Sequence, residues 1–198
     1  MRALLEYGVN KDHRLNIGTF EGRYDTPSLL SYACRLNKAD LVNLLLEGDA
    51  DANAENINGY SALDHAFINE NVIIIEVLLK HGANVNQERC AEQSFLNATI
   101  RKSTYCTNPN IEILELLLKY GANVSDTILI EVASSVNPTY RLEAIKLLLK
   151  QENVRADVIN SRGYSALISV TKQNDNEAVE ILLQYGAKTE VRDICGKT

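Results

Sequence analysis

Ser61, Asp64 and His65 bring a hydroxyl, a carboxylate and an imidazole into one helical turn, the residue types that an activated nucleophile requires. Hydrolysis by such a trio also needs an oxyanion site and a group to orient the base, and the flanking sequence supplies neither. Equivalent slots elsewhere hold Ser28, Ser31 and Tyr32, or Ser94, Asn97 and Ala98, so the position recurs without its chemistry. The trio reads as a helix cap and surface feature, with the Ser61 hydroxyl satisfying a first-turn amide. No catalytic residue is assigned.

Metal and nucleotide chemistry fare no better. His13, His65 and His81 with Cys34, Cys90, Cys106 and Cys195 contain neither a Cys-x-x-Cys pair nor two closely spaced histidines, the usual sequence marks of a zinc site. His81 instead fits a helix end, where partial positive charge is favoured. Gly196-Lys197-Thr198 matches the end of a phosphate-binding loop, but that loop needs a glycine five residues earlier and position 191 is Val191. No metal and no cofactor are expected.

The elements that carry these residues recur. A leucine-rich helix end returns six times, as Ala3-Leu4-Leu5, Leu44-Leu45-Leu46, Val77-Leu78-Leu79, Leu116-Leu117-Leu118, Leu147-Leu148-Leu149 and Ile181-Leu182-Leu183, at steps of 41, 33, 39, 31 and 34 residues. A period in this range marks stacked repeats rather than one central core. Hydrophobic residues at 45% and charged residues at 23% are ordinary for a folded protein. The formal charge of -6 lacks the basic footprint of nucleic-acid binding, so no nucleic acid is expected. The longest aliphatic run, Val72 to Ile75, is far short of the roughly 20 apolar residues that span a bilayer, and no membrane insertion is expected. Without a secretory signal pattern, and with four unpaired cysteines, the chain is expected in a reducing, cytoplasmic compartment.

The cleanest unit, Asn56 to about Asn86, reads as helix, turn, helix and loop. Ser61 caps a first helix carrying Leu63, Ala66 and Phe67, and a second helix after Glu70-Asn71 places Ile74, Val77 and Leu78 on one face. Gly82 suits the left-handed conformation that ends many helices. The same face recurs as Leu41, Leu44 and Leu45, as Ile113, Leu116 and Leu117, as Ala144, Leu147 and Leu148, and as Ala178, Ile181 and Leu182. Asp40, Glu112, Glu143 and Glu177 fall in or near the first turn of each second helix, where negative charge complements the helix dipole.

Gly-x-Ser-Ala-Leu at Gly59 to Leu63 and again at Gly163 to Leu167, with LLKHGANVN from Leu78, LLLKYGANV from Leu116 and LLQYGAK from Leu182, resembles the ankyrin repeat over nearly the whole chain. The resemblance implies an all-α solenoid of stacked helix-turn-helix units with short finger loops. Its repeats fall at about 22–54, 55–87, 88–124, 125–158 and 159–191, with partial repeats at 1–10 and 192–198 of one domain spanning 1–198. Both ends match only part of a repeat, as expected of a piece of a longer protein or of an array with degenerate ends.

The copies depart from the family pattern in several places. The family's first-helix His is replaced by Ser31, Asp64, Asn97, Glu131 and Ile168, which removes a source of bonds between neighbouring loops and predicts lower stability than a regular array. An enlarged finger is expected between Gly8 and Leu30. A longer inter-helix turn is expected at about Lys102 to Asn110, with Asn108-Pro109 starting the next helix, and almost no finger between Asn123 and Asp126.

In such a family the concave surface of fingers and first helices recognises a partner protein. By position it would comprise Arg23, Tyr24, Ile57, Asn58, Tyr60, Ile68, Asn69, Arg101, Lys102, Ser161, Arg162, Tyr164, Lys172 and Gln173. The expected function is a noncatalytic protein-protein interaction module. The alternative is a targeting segment of a larger enzyme or host-directed effector whose catalytic domain lies outside this chain. Abundant Asn and Ile with no Trp is similar to host-directed ankyrin proteins of intracellular bacteria and large DNA viruses, which would place the chain in a host cytosol. Oligomeric state is left open.

Overall fold

Seven of the helices among the described residues begin on a side-chain cap. In a computed structural model, which describes residues 19–20, 23–24, 27–87, 94–105 and 109–189, ten α-helices and two short strands occur among the described residues. The strands β1 (Thr19–Phe20) and β2 (Arg23–Tyr24) pair antiparallel, Thr19 with Tyr24 and Phe20 with Arg23; most of the stretch from Gly8 to Leu30, where an enlarged finger is expected, lies outside the described residues. The helices are α1 (Leu29–Arg35), α2 (Ala39–Glu47), α3 (Ala62–Ile68), α4 (Val72–Lys80), α5 (Phe95–Tyr105), α6 (Ile111–Lys119), α7 (Ile128–Ala133), α8 (Pro138–Leu148), α9 (Ala166–Lys172) and α10 (Asn176–Gln184). The backbone divides into two compact units, with the boundary at Phe95. No helix among the described residues is long and apolar enough to cross a membrane.

Serines cap three of the first helices, whereas α7 begins on Thr127 without a side-chain cap. Ser28, Ser61 and Ser165 accept from the amides of Ser31, Asp64 and Ile168 at 3.1, 3.3 and 3.2 Å, and Asp64 reaches back to the Ser61 amide at 2.9 Å to complete a capping box. The second helices use amide or carboxylate caps instead: Asn71, Asn110, Asn137 and Asp175 accept from Ile74, Glu112, Tyr140 and Ala178. Termination is equally regular. Gly82, Gly121 and Gly186 stand at φ of +83, +79 and +84°, and the next amide closes back to Leu78, Leu117 and Leu182. Asp49 takes the same slot at φ +57°, an αL position that Asp tolerates better than most residues.

Packing holds these short helices in place. In the first unit α1 packs on α3 and α2 on α4; in the second, α7 packs on α9, while α8 lies against both α6 and α10. The expected apolar face is present but rotated. Ile74 and Leu78 are buried while Val77 is half-buried, and the fully buried neighbour is Ile75; Ala144, Ile145 and Leu148 repeat this with Leu147 half-buried. Leu41, Leu44 and Ile181 are likewise half-buried, and Val42 is buried instead. A second helix touches its own first helix as well as the neighbouring second helix, so its buried arc widens toward the next residue round.

The third and fourth repeats differ from the sequence expectation. The extra residues of the third repeat lengthen α5 to 11 residues rather than forming only a loop, and α6 is capped by Asn110, one position after Pro109. In the fourth repeat α8 begins early, on Asn137 with Pro138 in its first turn, so Glu143 lies in the helix interior and not at the dipole-complementing end. Asp40, Glu112 and Glu177 do occupy first turns.

The early start of α8 moves a charge inside. Arg141 falls where Asn71, Asn110 and Asp175 serve as caps, and with 4% exposure its guanidinium is buried. It donates to Asp175 through Nε at 2.7 Å and to the Ser135 carbonyl at 2.7 Å, and also reaches the Gln173 side-chain oxygen. Asp175 thereby caps α10 with one oxygen and pairs with Arg141 through the other. Replacing Arg141 by Ala strands a largely buried carboxylate, and should cost about 3–5 kcal/mol in urea unfolding; a loss below about 1 kcal/mol would contradict this role.

Candidate functional site

Two finger loops are built to the same plan, and a single asparagine holds each one. Asn56 Oδ1 accepts from the amides of Asn58 and Tyr60, both at 2.9 Å, and the Asn56 amide donates to the Tyr60 carbonyl at 2.9 Å. In the second unit Asn160 Oδ1 accepts from Arg162 and Tyr164 at 3.0 Å each, and its amide donates to the Tyr164 carbonyl at 2.9 Å. Gly59 and Gly163 complete the turns at φ +75 and +76°, where a side chain would be strained. The tips, Ile57-Asn58 and Ser161-Arg162, are thus held by bonds to a side chain at the loop base. Ile57 is 60% exposed, and Ser161 and Arg162 are exposed.

The two tyrosines after these tips meet different neighbours. Tyr60 is half-buried, its ring stacked 6.1 Å from that of buried His65. Ser169 stands in the matching slot of the second unit and donates to the Ser165 carbonyl at 3.2 Å. Tyr164 is 38% exposed, and the Lys172 ammonium lies 4.2 Å over its ring, a cation–π contact that fixes an aromatic and a positive charge side by side. Arg162, Tyr164 and Lys172 thereby offer a basic and aromatic face. In the first unit exposed Ile68 occupies the Lys172 position, beside a more apolar finger.

Other residues from the sequence expectation have separate settings. Arg23 and Tyr24 form β2. Arg101 and Lys102 are exposed on α5, and the Arg101 charge acts on half-buried Glu131 of α7. Asn69 and Gln173 tie neighbouring repeats together. Asn69 donates to the Cys34 and Arg35 carbonyls at 2.9 and 3.2 Å, and Gln173 donates to the Ala133 carbonyl at 2.8 Å while facing Arg141. This stitching and the roles of Asn56, Asn160 and Arg141 lie outside the sequence expectation. A repeated Asn-x-x-Gly-Tyr at positions 56–60 and 160–164 would have revealed the first two.

The residues with apparent chemistry are built into the scaffold. Ser61 donates its hydroxyl to Asp64 Oδ2 at 2.8 Å, and these two residues form the cap of α3, while buried His65 stacks on the Tyr60 ring. The slots of the missing family His are put to local use, with Ser28 donating to Ser31 at 3.2 Å and Asp64 in its capping box. His81 ends α4, its Nδ1 lying 2.9 Å from the Val77 carbonyl. The Cys34 thiol is buried and free, and burial pushes it up to about 12, so it stays protonated and a poor nucleophile at neutral pH. Among the described residues no group of three or more His, Cys, Asp or Glu converges as a metal site. His13, Cys90, Cys106, Cys195 and Gly196 to Thr198 lie outside the described residues.

Comparison with known proteins agrees with this architecture. A family model described as ankyrin repeats (3 copies) matches residues 1–89 and 103–193. The B-cell lymphoma 3 protein homolog of Mus musculus is 32% identical over 99 residues, which is 50% of this chain and 21% of that protein. Two solved structures share the fold. EF0377, an ankyrin repeat protein, has a TM-score of 0.64 at 24% identity, covering 85% of this chain and 86% of its own. The ankyrin repeat domain of Bcl-3, a unique member of the IkappaB protein family, has a TM-score of 0.67 at 21% identity, covering 100% of this chain and 85% of its own.

Two measurements probe these local devices. Asn160→Ala removes the acceptor shared by two finger amides, so hydrogen exchange at Arg162 and Tyr164 should accelerate by roughly five- to tenfold, the equivalent of one modest hydrogen bond; unchanged exchange would contradict an Asn-held tip. For Glu131, burial raises the carboxyl pKa, with Arg101 opposing. A raised folded pKa gives stability that is present at low pH and lost as pH rises through the folded pKa. Glu131→Gln should therefore raise Tm at pH 7 more than at pH 4, and an equal change at both would remove this assignment.

Proposed function

The chain belongs to the ankyrin repeat family, whose repeats are general protein-protein interaction modules, and from that premise we propose that it is a noncatalytic module taking a partner protein on its fingers and first helices. The observation that carries this reading is the pair of Asn-held fingers, each projecting accessible side chains beside a Ser-capped first helix. Ile57, Asn58, Tyr60 and Ile68 make up one contact patch, and Ser161, Arg162, Tyr164 and Lys172 the other. Arg23, Tyr24 and Asn69 are assigned with the first patch, and Arg101, Lys102 and Gln173 with the second.

The physics favours recognition over chemistry. A loop already fixed by four hydrogen bonds loses little conformational entropy on binding, so more of the contact energy appears as affinity. Tyr and Arg are also the residue types that concentrate binding energy at interfaces. Lys172 over one face of Tyr164 ties the ring to the end of α9, so an aromatic and a positive charge are offered together.

The test is quantitative capture of partner proteins from cell lysate by the wild-type chain and by two variants, the Tyr60→Ala/Arg162→Ala/Tyr164→Ala triple and the single Arg162→Glu. Arg162 is exposed, so its replacement should leave the circular dichroism and melting curve unchanged. Recovery of a specific partner should fall by roughly tenfold or more in the triple variant and measurably in the single one. Equal recovery by all three proteins would overturn the proposed surface.

A further inference from the structure

A second surface, away from the fingers, has the makings of a binding site. Between α2 and α4 of the first unit lies an open groove of about 500 Å³. Asp40, Leu44 and Glu47 line it from one stripe of α2, with Asn43 beside them, and Ile73 and Val77 line it from α4. Leu44 and Val77 are half-buried, and Ile73, at 66%, is the most exposed large apolar side chain among the described residues. The apolar strip is thus flanked by carboxylates, and no lysine or arginine lines the groove. Asn43 donates to Glu47 Oε1 at 2.9 Å, which orients one of those carboxylates.

Ile73 runs against the pattern of its own repeat. Its slot, the second residue of a second helix, holds Asp40 in α2, Glu112 in α6 and Glu177 in α10, each complementing the helix dipole. An isoleucine there gives up that stabilisation and exposes an aliphatic side chain, while Ile74 and Ile75 already supply the core contacts of α4. The core has no use for Ile73. Charge adds direction: residues 1–95 contain 14 acidic and 8 basic residues, whereas residues 96–198 contain 12 of each. The whole net negative charge of the chain therefore resides in the unit that carries the groove.

We infer that the α2–α4 groove of the first unit is a second docking site, for a basic amphipathic peptide segment of a partner protein whose aliphatic side chains seat against Leu44, Ile73 and Val77 while Lys or Arg pairs with Asp40 and Glu47. It is separate from the finger surface in residues and in the charge it selects. Fingers bearing Arg162 and Lys172 suit an acidic contact, and this groove suits a basic one.

Fluorescence anisotropy on the full 198-residue chain tests the site with three labelled synthetic dodecapeptides. One places Leu and Lys on opposite helical faces, the second replaces every Leu by Ser, and the third replaces every Lys by Glu. The first should bind about tenfold or more tightly than either other peptide. Ile73→Glu should weaken it by about tenfold, although it adds negative charge that would strengthen a purely electrostatic attachment. Asp40→Asn with Glu47→Gln should weaken it about threefold and flatten its salt dependence, and Arg162→Glu should leave it unchanged. Ile73→Glu restores the acidic first-turn pattern, so its melting temperature should not fall, which separates lost binding from lost folding. The inference is overturned by equal affinity for the Leu- and Ser-containing peptides, by undiminished binding to Ile73→Glu, or by loss on Arg162→Glu alone. Ile73-dependent self-association in sedimentation without peptide binding would also overturn it, by identifying the occupant as a second copy.

Discussion

Helices of six to eleven residues are too short to persist alone in water, so every element here depends on an aliphatic face being covered by the next repeat. That constraint explains why α1 lies on α3 and α2 on α4 in one unit, and why α8 is flanked by α6 and α10 in the other. It also explains the widened buried arc of the second helices, which must satisfy two neighbours at once. The fingers inherit their rigidity from this packing. A loop that begins and ends on covered helices needs only a few polar bonds to hold one shape, and Asn56 and Asn160 supply them.

Polar side chains add register to the apolar stacking. In the first unit Asn53 donates to the Gly82 carbonyl at 3.0 Å and accepts from the Asn84 amide at 2.7 Å, while Asn71 donates to Asn37 at 2.7 Å. The second unit uses charge for the same purpose, through Arg141, Asp175 and Gln173. Each of these contacts joins one repeat to the next, and Arg141 and Asp175 occupy equivalent slots. A slip of one residue would leave a buried guanidinium or a helix end unsatisfied, so the polar bonds select one alignment among several that the aliphatic faces alone would tolerate. The dipole-complementing carboxylates belong to the same scheme, and Ile73 departs from it on the face where the α2–α4 groove opens.

Much of this was legible in the residues because its causes are local. Ser61 before Ala62-Leu63, Gly82 after His81 and the recurring leucines specify caps, stops and a buried face with no knowledge of distant contacts. The exceptions have local causes too, but with competing signals. Asn137-Pro138 starts α8 a turn early, although the leucine spacing alone aligns its start with the other second helices. Likewise Lys102 to Tyr105 continue α5 where an insertion suggested a turn. The ion pair of Arg141 was not legible, because it joins positions 34 residues apart and appears only once the repeats are in register. The fingers are legible as loops, but their geometry turns on the asparagine immediately before each tip, and its meaning depends on where the oxygen points.

The family membership, the fold and the finger geometry together describe a protein that spends its polar residues on holding surfaces still. One surface presents Tyr164 under Lys172 beside Arg162, and the other presents Ile57 and Ile68 beside Tyr60. The central claim is that these held surfaces are where a partner lands. Hydrogen–deuterium exchange of the chain, free and with a captured partner, tests it most directly. The account predicts added protection at residues 56–61 and 160–165 and in the outer turns of α3 and α9. Protection confined to other elements, with the finger amides exchanging as in the free chain, would contradict it.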